Sequence, residues 1–224
     1  MVKSTIENIA LSSLLPQVFH GMEETSKIMQ SQVWLEPNLR FERGCRICVQ
    51  AESGGGKSSL LSFIYGNRND YLGDIYYNQN NVKSFDINKW CEIRTYNIAL
   101  LPQEMRLFPE LTVMQNLQIK NQITQYKSEK QLQQLLERLG IGEKANNPLN
   151  TLSIGQQQRV AIIRTMCQPF DFILLDEPVS HLDIDNNKVV AAILAEEAEK
   201  QGAGIISTSV GNPLLLDDAQ FIAL

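Results

Sequence analysis

One short segment decides most of what this chain can fold into. Arg46 to Gln50 reads as a strand, and it passes into Ala51-Glu52-Ser53-Gly54-Gly55-Gly56-Lys57-Ser58-Ser59. Leu60 to Tyr65 then continue as a helix, with Gly66 suited to end it. Three consecutive glycines between a strand and a helix leave bare backbone N–H groups free to converge on one point, and the helix N-terminus adds the positive end of its dipole. That is what a nucleotide's phosphates require. Lys57 is long enough to reach the β- and γ-phosphates, and the Ser58 hydroxyl is placed to hold Mg²⁺. The pattern departs from G-x-x-x-x-G-K-[ST] once, where Ala51 replaces the first glycine. The change costs little if the backbone there suits a residue with a Cβ. The bland alternative is a glycine-rich turn beside a lysine. A strand and a helix on the correct sides argue against it.

A second motif repeats the logic with acids. Phe172-Ile173-Leu174-Leu175 is a continuous apolar run, as expected of a strand buried within a parallel sheet, and it ends in Asp176-Glu177. Asp176 can coordinate Mg²⁺ through water, and Glu177 can take a proton from an attacking water. Two carboxylates at the C-terminal edge of a parallel strand also lie where α/β folds bind ligands. Gly73 to Tyr77, Ile98 to Leu101, Gly204 to Thr208 and Gln220 to Leu224 read as further strands, and Asn78 to Asn81 as a turn. Ile87 to Arg94 suit a helix. Asp185 to Lys200 suit another, capped by Asp185 and stopped by Gly202. Glu110 to Lys144 are mostly helical in pattern, with Leu132, Leu135, Leu136 and Leu139 on one face and Gly140 as a stop. Strands alternating with helices predict an α/β fold with a largely parallel sheet.

The bulk numbers set the frame. A chain of 224 residues holds one large domain, or one core with an inserted lobe, without disulfides or structural metal. A net charge of −5 argues against broad phosphate neutralisation, so no nucleic-acid partner is expected. No apolar run is long enough to span a bilayer, and the N-terminus lacks a secretory layout. The expectation is a cytoplasmic chain whose membrane role, if any, comes through a partner. Cys45 and Cys48 form a C-x-x-C, but Cys91 and Cys167 make no second pair. Four reduced thiols are a better reading than zinc or redox chemistry.

The third motif points to a family. Leu152-Ser153-Ile154-Gly155-Gln156-Gln157-Gln158-Arg159 opens a helix, with Ser153 and Gln156 in capping-box spacing. It resembles the signature sequence of the ATP-binding-cassette (ABC) family, L-S-G-G-Q followed by a basic residue, and it stands where that family carries it, shortly before the Asp-Glu strand. The resemblance covers nearly the whole chain. The Gln-Gln-Gln-Arg run is most similar to the cassette ATPases of lipoprotein-release and macrolide-export systems.

The resemblance implies a P-loop NTPase core with an N-terminal antiparallel β portion and an inserted helical subdomain. Residues 1–224 would form one nucleotide-binding domain, with 1–103 and 169–224 as the core and 104–168 as the helical part. It implies ATP and Mg²⁺ bound at a head-to-tail homodimer or heterodimer of cassettes. ATP contacts would come from Ser53 to Ser59 of one subunit, and from Ser153, Gly155 and Gln156 of the other. Mg²⁺ would be held by Ser58, Gln103 and Asp176. Glu177 would act as base, with Lys57, Gln103 and Ser209 also at the reacting phosphate. Asp183, in Ser180-His181-Leu182-Asp183, resembles the family's D-loop, and Phe19 is the candidate to stack on adenine. Trp34 reads as core. The partner would be an integral-membrane permease subunit, touched by the segment Phe108 to Val113 and holding the cassette at the inner face of the membrane.

Two further departures stand out. Ile154 replaces the first glycine of the signature pair. The family places a histidine after the threonine that ends the late strand, and here that position is Ser209. A serine is shorter and cannot be cationic. The sequence therefore supports an ATPase, and beside it a slow or non-hydrolysing ATP-dependent switch. A P-loop small-molecule kinase is a weaker reading, because the signature segment is foreign to it and no second substrate lobe rich in arginine is evident.

Overall fold

Two sheets divide the strands between them. The computed structural model describes residues 4–224. The chain runs through β1 (Asn8–Pro16), the short helix α1 (Ser26–Met29), β2 (Leu39–Glu42) and β3 (Arg46–Gln50). It continues with α2 (Lys57–Ile64), β4 (Tyr71–Tyr77), β5 (Asn80–Asn81), α3 (Ile87–Tyr96) and β6 (Ile98–Leu101). Then come α4 (Val113–Asn121), α5 (Glu129–Arg138) and α6 (Ile154–Thr165). Last are β7 (Phe172–Leu175), α7 (Ile184–Gln201), β8 (Gly204–Ser209) and β9 (Gln220–Ala223).

The first sheet is antiparallel, in the order β2-β1-β4-β5. The second is parallel, in the order β6-β7-β8-β3-β9. The expected mixture of a parallel sheet and an N-terminal antiparallel portion is what forms. Because the five parallel strands run the same way, the loops after β3, β6, β7 and β8 all open along one edge of that sheet. Period-two alternation sends side chains to two apolar clusters. In β7, Phe172 and Leu174 pack with α2 and the antiparallel sheet, while Ile173 and Leu175 pack with α4 to α7. All four residues of β7 are buried, as an interior parallel strand requires.

Three boundaries differ from expectation. The helical pattern over 110–144 is broken between α4 and α5, where the Asn121 side chain donates to the Lys127 carbonyl at 2.7 Å and accepts from its N–H at 2.9 Å. Asn80–Asn81, expected inside a turn, pair with Tyr77 and Tyr76, and the reversal falls on Asn78 at φ 56°. Asp183, not Asp185, caps α7: its carboxylate accepts from the Asn186 N–H at 2.8 Å. Two aspartates at neighbouring positions both fit a cap by type, and only the backbone conformation, extended at Asp183, separates them. The four cysteines are free, and burial pushes the Cys45 thiol up to about 12. Among the described residues no helix is long and apolar enough to cross a membrane.

Candidate nucleotide site

The glycine loop is held from three sides. Gly56 caps α2 in the left-handed region at φ 96°, where a side chain would be strained. Gly55 is required by a close approach, since a Cβ there would stand 2.8 Å from the Ala51 methyl. The substitution of Ala51 thus uses space that Gly55 leaves open, and Ala51 is not among the residues at positive φ. From the third side, the Ala51 N–H donates to the Ser209 carbonyl at 3.3 Å, tying the loop to the end of β8. Lys57 is buried, and its ammonium donates to the carbonyls of Ala51 at 3.2 Å and Glu52 at 3.0 Å. Ser53, Gly54 and Ser58 are exposed on the open side of the loop. Ser59 lies further round α2, and its hydroxyl accepts from Arg68 at 2.9 Å.

The carboxylates of β7 meet this loop. Glu177 Oε1 lies 3.6 Å from Lys57 Nζ. Thr208 organises both acids: its hydroxyl donates to Asp176 Oδ1 at 2.7 Å and accepts from the Glu177 N–H at 3.0 Å. Asp176 is nearly sealed, and its own N–H donates to the Leu101 carbonyl at the end of β6. Glu177 stands in the left-handed region at φ 49°, an unusual conformation for a residue with a side chain, held here by bonds on both sides. Gln103 follows β6 and is exposed at the same edge. Ser209 ends β8 there, 1% exposed, and its hydroxyl has no hydrogen-bond partner among the described residues.

The signature helix approaches from the other cluster. Ser153 and Gln156 form a reciprocal capping box, as their spacing predicts. Gly155 packs against the loop after β7, where a Cβ would stand 2.8 Å from the His181 carbonyl. Gln158, to which sequence reasoning gave no role, locks that loop. It donates to the Glu177 carbonyl at 3.1 Å and to Ser180 Oγ at 3.2 Å, and accepts from the His181 N–H at 3.1 Å. Its signal was available, because Gln158 lies three and four residues before Ala161 and Ile162 on the buried face of α6. Arg159 donates to the Leu139 carbonyl at 2.7 Å and to Asn186 at 3.0 Å, and burial holds its guanidinium below its ordinary value. The Asp183 carboxylate is lowered by the Asn186 backbone bond that makes it a cap.

Beside the loop opens a cavity of about 620 Å³, bounded by Phe19, Trp34, Glu52 and Gly54 among others. Phe19 meets Trp34 edge to face at 6.5 Å between ring centroids. The structure therefore groups Lys57, Asp176, Glu177 and Ser209 at the glycine loop, with Phe19 at its flank. Ser153 and Asp183 cap α6 and α7, and neither borders this cavity. Among the described residues no three His, Cys, Asp or Glu side chains converge as a metal site. A divalent cation here would depend on one carboxylate, a hydroxyl and the nucleotide's own oxygens. A loop whose close packing against Ala51 and Trp34 requires Gly55 and Gly56, beside a buried lysine at a helix N-terminus, fits a polyphosphate.

Glycine loop, acid-ended strand and parallel sheet together define a P-loop nucleotide-binding core. The fold is similar to a solved dimeric structure of MJ0796, a bacterial ABC transporter cassette, at TM-score 0.76 and 23% identity, covering 96% of this chain and 94% of that one. The family described as ABC transporter matches residues 36–180, well over half of the chain, and the chain belongs to that family. Relatives include the ABC transporter ATP-binding protein YclH of Bacillus subtilis, itself uncharacterized, 32% identical over 75% of both chains. The lipoprotein-releasing system ATP-binding protein LolD of Saccharophagus degradans is 29% identical, covering 76% of this chain and 77% of that protein.

Proposed function

We propose that this chain is the ATPase subunit of a membrane-transport complex. It binds Mg-ATP between two cassettes arranged head to tail, hydrolyses it, and passes closure and reopening to a separately encoded permease at the inner face of the membrane. The observation that carries the reading is the clamp at Thr208, which fixes Asp176 and Glu177 together while Lys57 lies 3.6 Å from the Glu177 carboxylate. A lysine already facing the acid is positioned to take a phosphate placed between them.

In this reading the backbone of 53–57 cradles the phosphates and Lys57 engages the terminal ones. Ser58, Asp176 and Gln103 hold Mg²⁺, which when bound would offset charge on the phosphate oxygens. Glu177 orients the attacking water and accepts its proton. Phe19 stacks on the base. Ser153, Gly155 and Gln156 of the partner subunit's equivalent helix present their N-terminus to the γ-phosphate, with Asp183 at the same interface. The 104–168 helical part moves against the core and transmits the change. The name of the LolD relative favours a lipoprotein-release type of partner.

Phosphate release from Mg-ATP by the purified chain, measured beside Glu177→Gln, tests this. Release that falls on the order of 10³-fold in the variant, with ATP binding retained, is the expected result. Equal rates in the two proteins would remove Glu177 as the base. ATP binding without release from either protein would leave a nucleotide-dependent switch.

A further inference from the structure

The backbone of Glu177 carries two conflicts. It stands at φ 49°, in the left-handed region that a Cβ disfavours. It also precedes Pro178, and a proline biases the residue before it toward extended backbone. Such a conformation persists only where its surroundings over-determine it. On one side the Glu177 N–H donates to the Thr208 hydroxyl at 3.0 Å. On the other the Glu177 carbonyl accepts from Gln158 Nε2 and from Ser180 Oγ, both at 3.1 Å. Ser180 belongs to the same loop and moves with it. Gln158 stands on a different element, α6, and is buried at 4% exposed. Its amide is spent on this loop alone: Nε2 also donates to Ser180 Oγ at 3.2 Å, and Oε1 accepts from the His181 N–H at 3.1 Å.

We infer that Gln158 is a positioning residue for Glu177: from α6 it holds the left-handed backbone that aims the carboxylate at the proposed phosphate. The inference rests on the proposed ATPase reading, and it gives Gln158 a part in the reaction without contact to ATP. The torsion at Glu177 sets the direction of its Cα–Cβ bond. With the carbonyl released, the residue is free to relax toward the extended backbone that Pro178 favours. The carboxylate then leaves its place 3.6 Å from Lys57 Nζ. Asp176 does not follow, because the Thr208 hydroxyl still donates to its side chain. The far end of the loop also stays, since Gly155 packs closely on the His181 carbonyl. Loss of Gln158 should therefore cost the proton-accepting step and spare nucleotide binding.

Single-turnover phosphate release and Mg-ATP affinity, measured in the intact chain and in Gln158→Met, test it. Methionine fills the space of glutamine without its donor or acceptor. Release should fall on the order of 10²-fold, as a small misplacement of a reacting group can cost, with ATP affinity unchanged. Made in a Glu177→Gln chain, the same substitution should lower release no further, because the base that Gln158 positions is already gone. A further loss in that background, or weaker ATP binding, would mean that Gln158 supports the site as a whole. An unchanged rate in Gln158→Met would mean that the Glu177 backbone holds without it. Each of these results overturns the inference. If Gln158→Met fails to fold, Gln158→Asn decides by the same measurements and the same outcomes, since it keeps the amide but withdraws it by one methylene. An intact chain that binds ATP and releases no phosphate even in a single turnover would instead remove the proposed ATPase, and this inference with it.

Discussion

Ser209 stands at the end of β8 with its carbonyl bonded to Ala51 and its hydroxyl unpartnered among the described residues. Its Cα is thus fixed at the mouth of the glycine loop, next to the threonine that clamps both acids. A buried hydroxyl without a partner is costly by about 1–3 kcal/mol, so a group that accepts from it on ligand binding would recover that loss. A serine can contribute one short hydrogen bond there but no positive charge. The expected consequence is slow turnover. Replacing Ser209 by histidine should raise kcat on the order of 10²-fold, because one donor aimed at developing charge is worth about that much. Single-turnover phosphate release at saturating Mg-ATP measures it. A histidine variant that binds ATP normally and turns over no faster would show that Ser209 does not limit the rate.

Between elements, the least expected feature is a buried ion pair. Lys127, in the connection from α4 to α5, meets Glu197 of α7 at 2.9 Å, with both side chains under a tenth exposed. Tyr126 and Gln201 also donate to the Glu197 carboxylate, at 3.0 Å and 3.1 Å. Removing one partner leaves a buried charge uncompensated, and Lys127→Met should destabilise the chain by about 3–5 kcal/mol. Replacing both, as Lys127→Met with Glu197→Gln, should recover most of that loss. Urea unfolding of the two variants checks it, and a double variant as unstable as the single one would mean the pair itself is favourable. No sequence signal announces this contact. Glu197 lies three and four residues after Leu194 and Ile193 on the buried face of α7, but nothing along the chain points to Lys127 as its partner, and only packing of the 122–128 connection against α7 brings them together. The elements themselves were far more legible. The run Phe172 to Leu175, the capping box at Ser153 and the glycine loop each carry a local physical cause, and each formed where that cause placed it. What local pattern left open was contact across elements. Thr208 and Gln158 organise the site through bonds to residues 19 to 32 positions away, and Trp34 meets a loop 22 positions further on.

At the scale of the whole molecule the site is half built. Ser153 and Gly155 begin a helix whose N-terminal groups do not line the cavity beside Gly54. In the proposed assembly, a second copy turned about a two-fold axis would bring its Ser153 to the first copy's Lys57, and the reverse. Two variants expose that arrangement. Lys57→Ala removes the cation of one half-site. Ser153→Asp keeps a good helix cap but sets a negative charge against the incoming phosphate, so α6 stays intact. Each variant alone should release phosphate at background. Mixed in equal amounts and allowed to exchange, half of the dimers carry one of each, and in those one of the two sites has both an intact Lys57 and an intact Ser153. The mixture should recover about a quarter of the unmodified rate if the sites fire independently. A site built within one chain gives the opposite result, because every chain in the mixture is damaged and mixing restores nothing. Recovery well above background therefore requires two chains per site, and its absence in a mixture shown to form mixed dimers would place Lys57 and Ser153 of the same chain in one site.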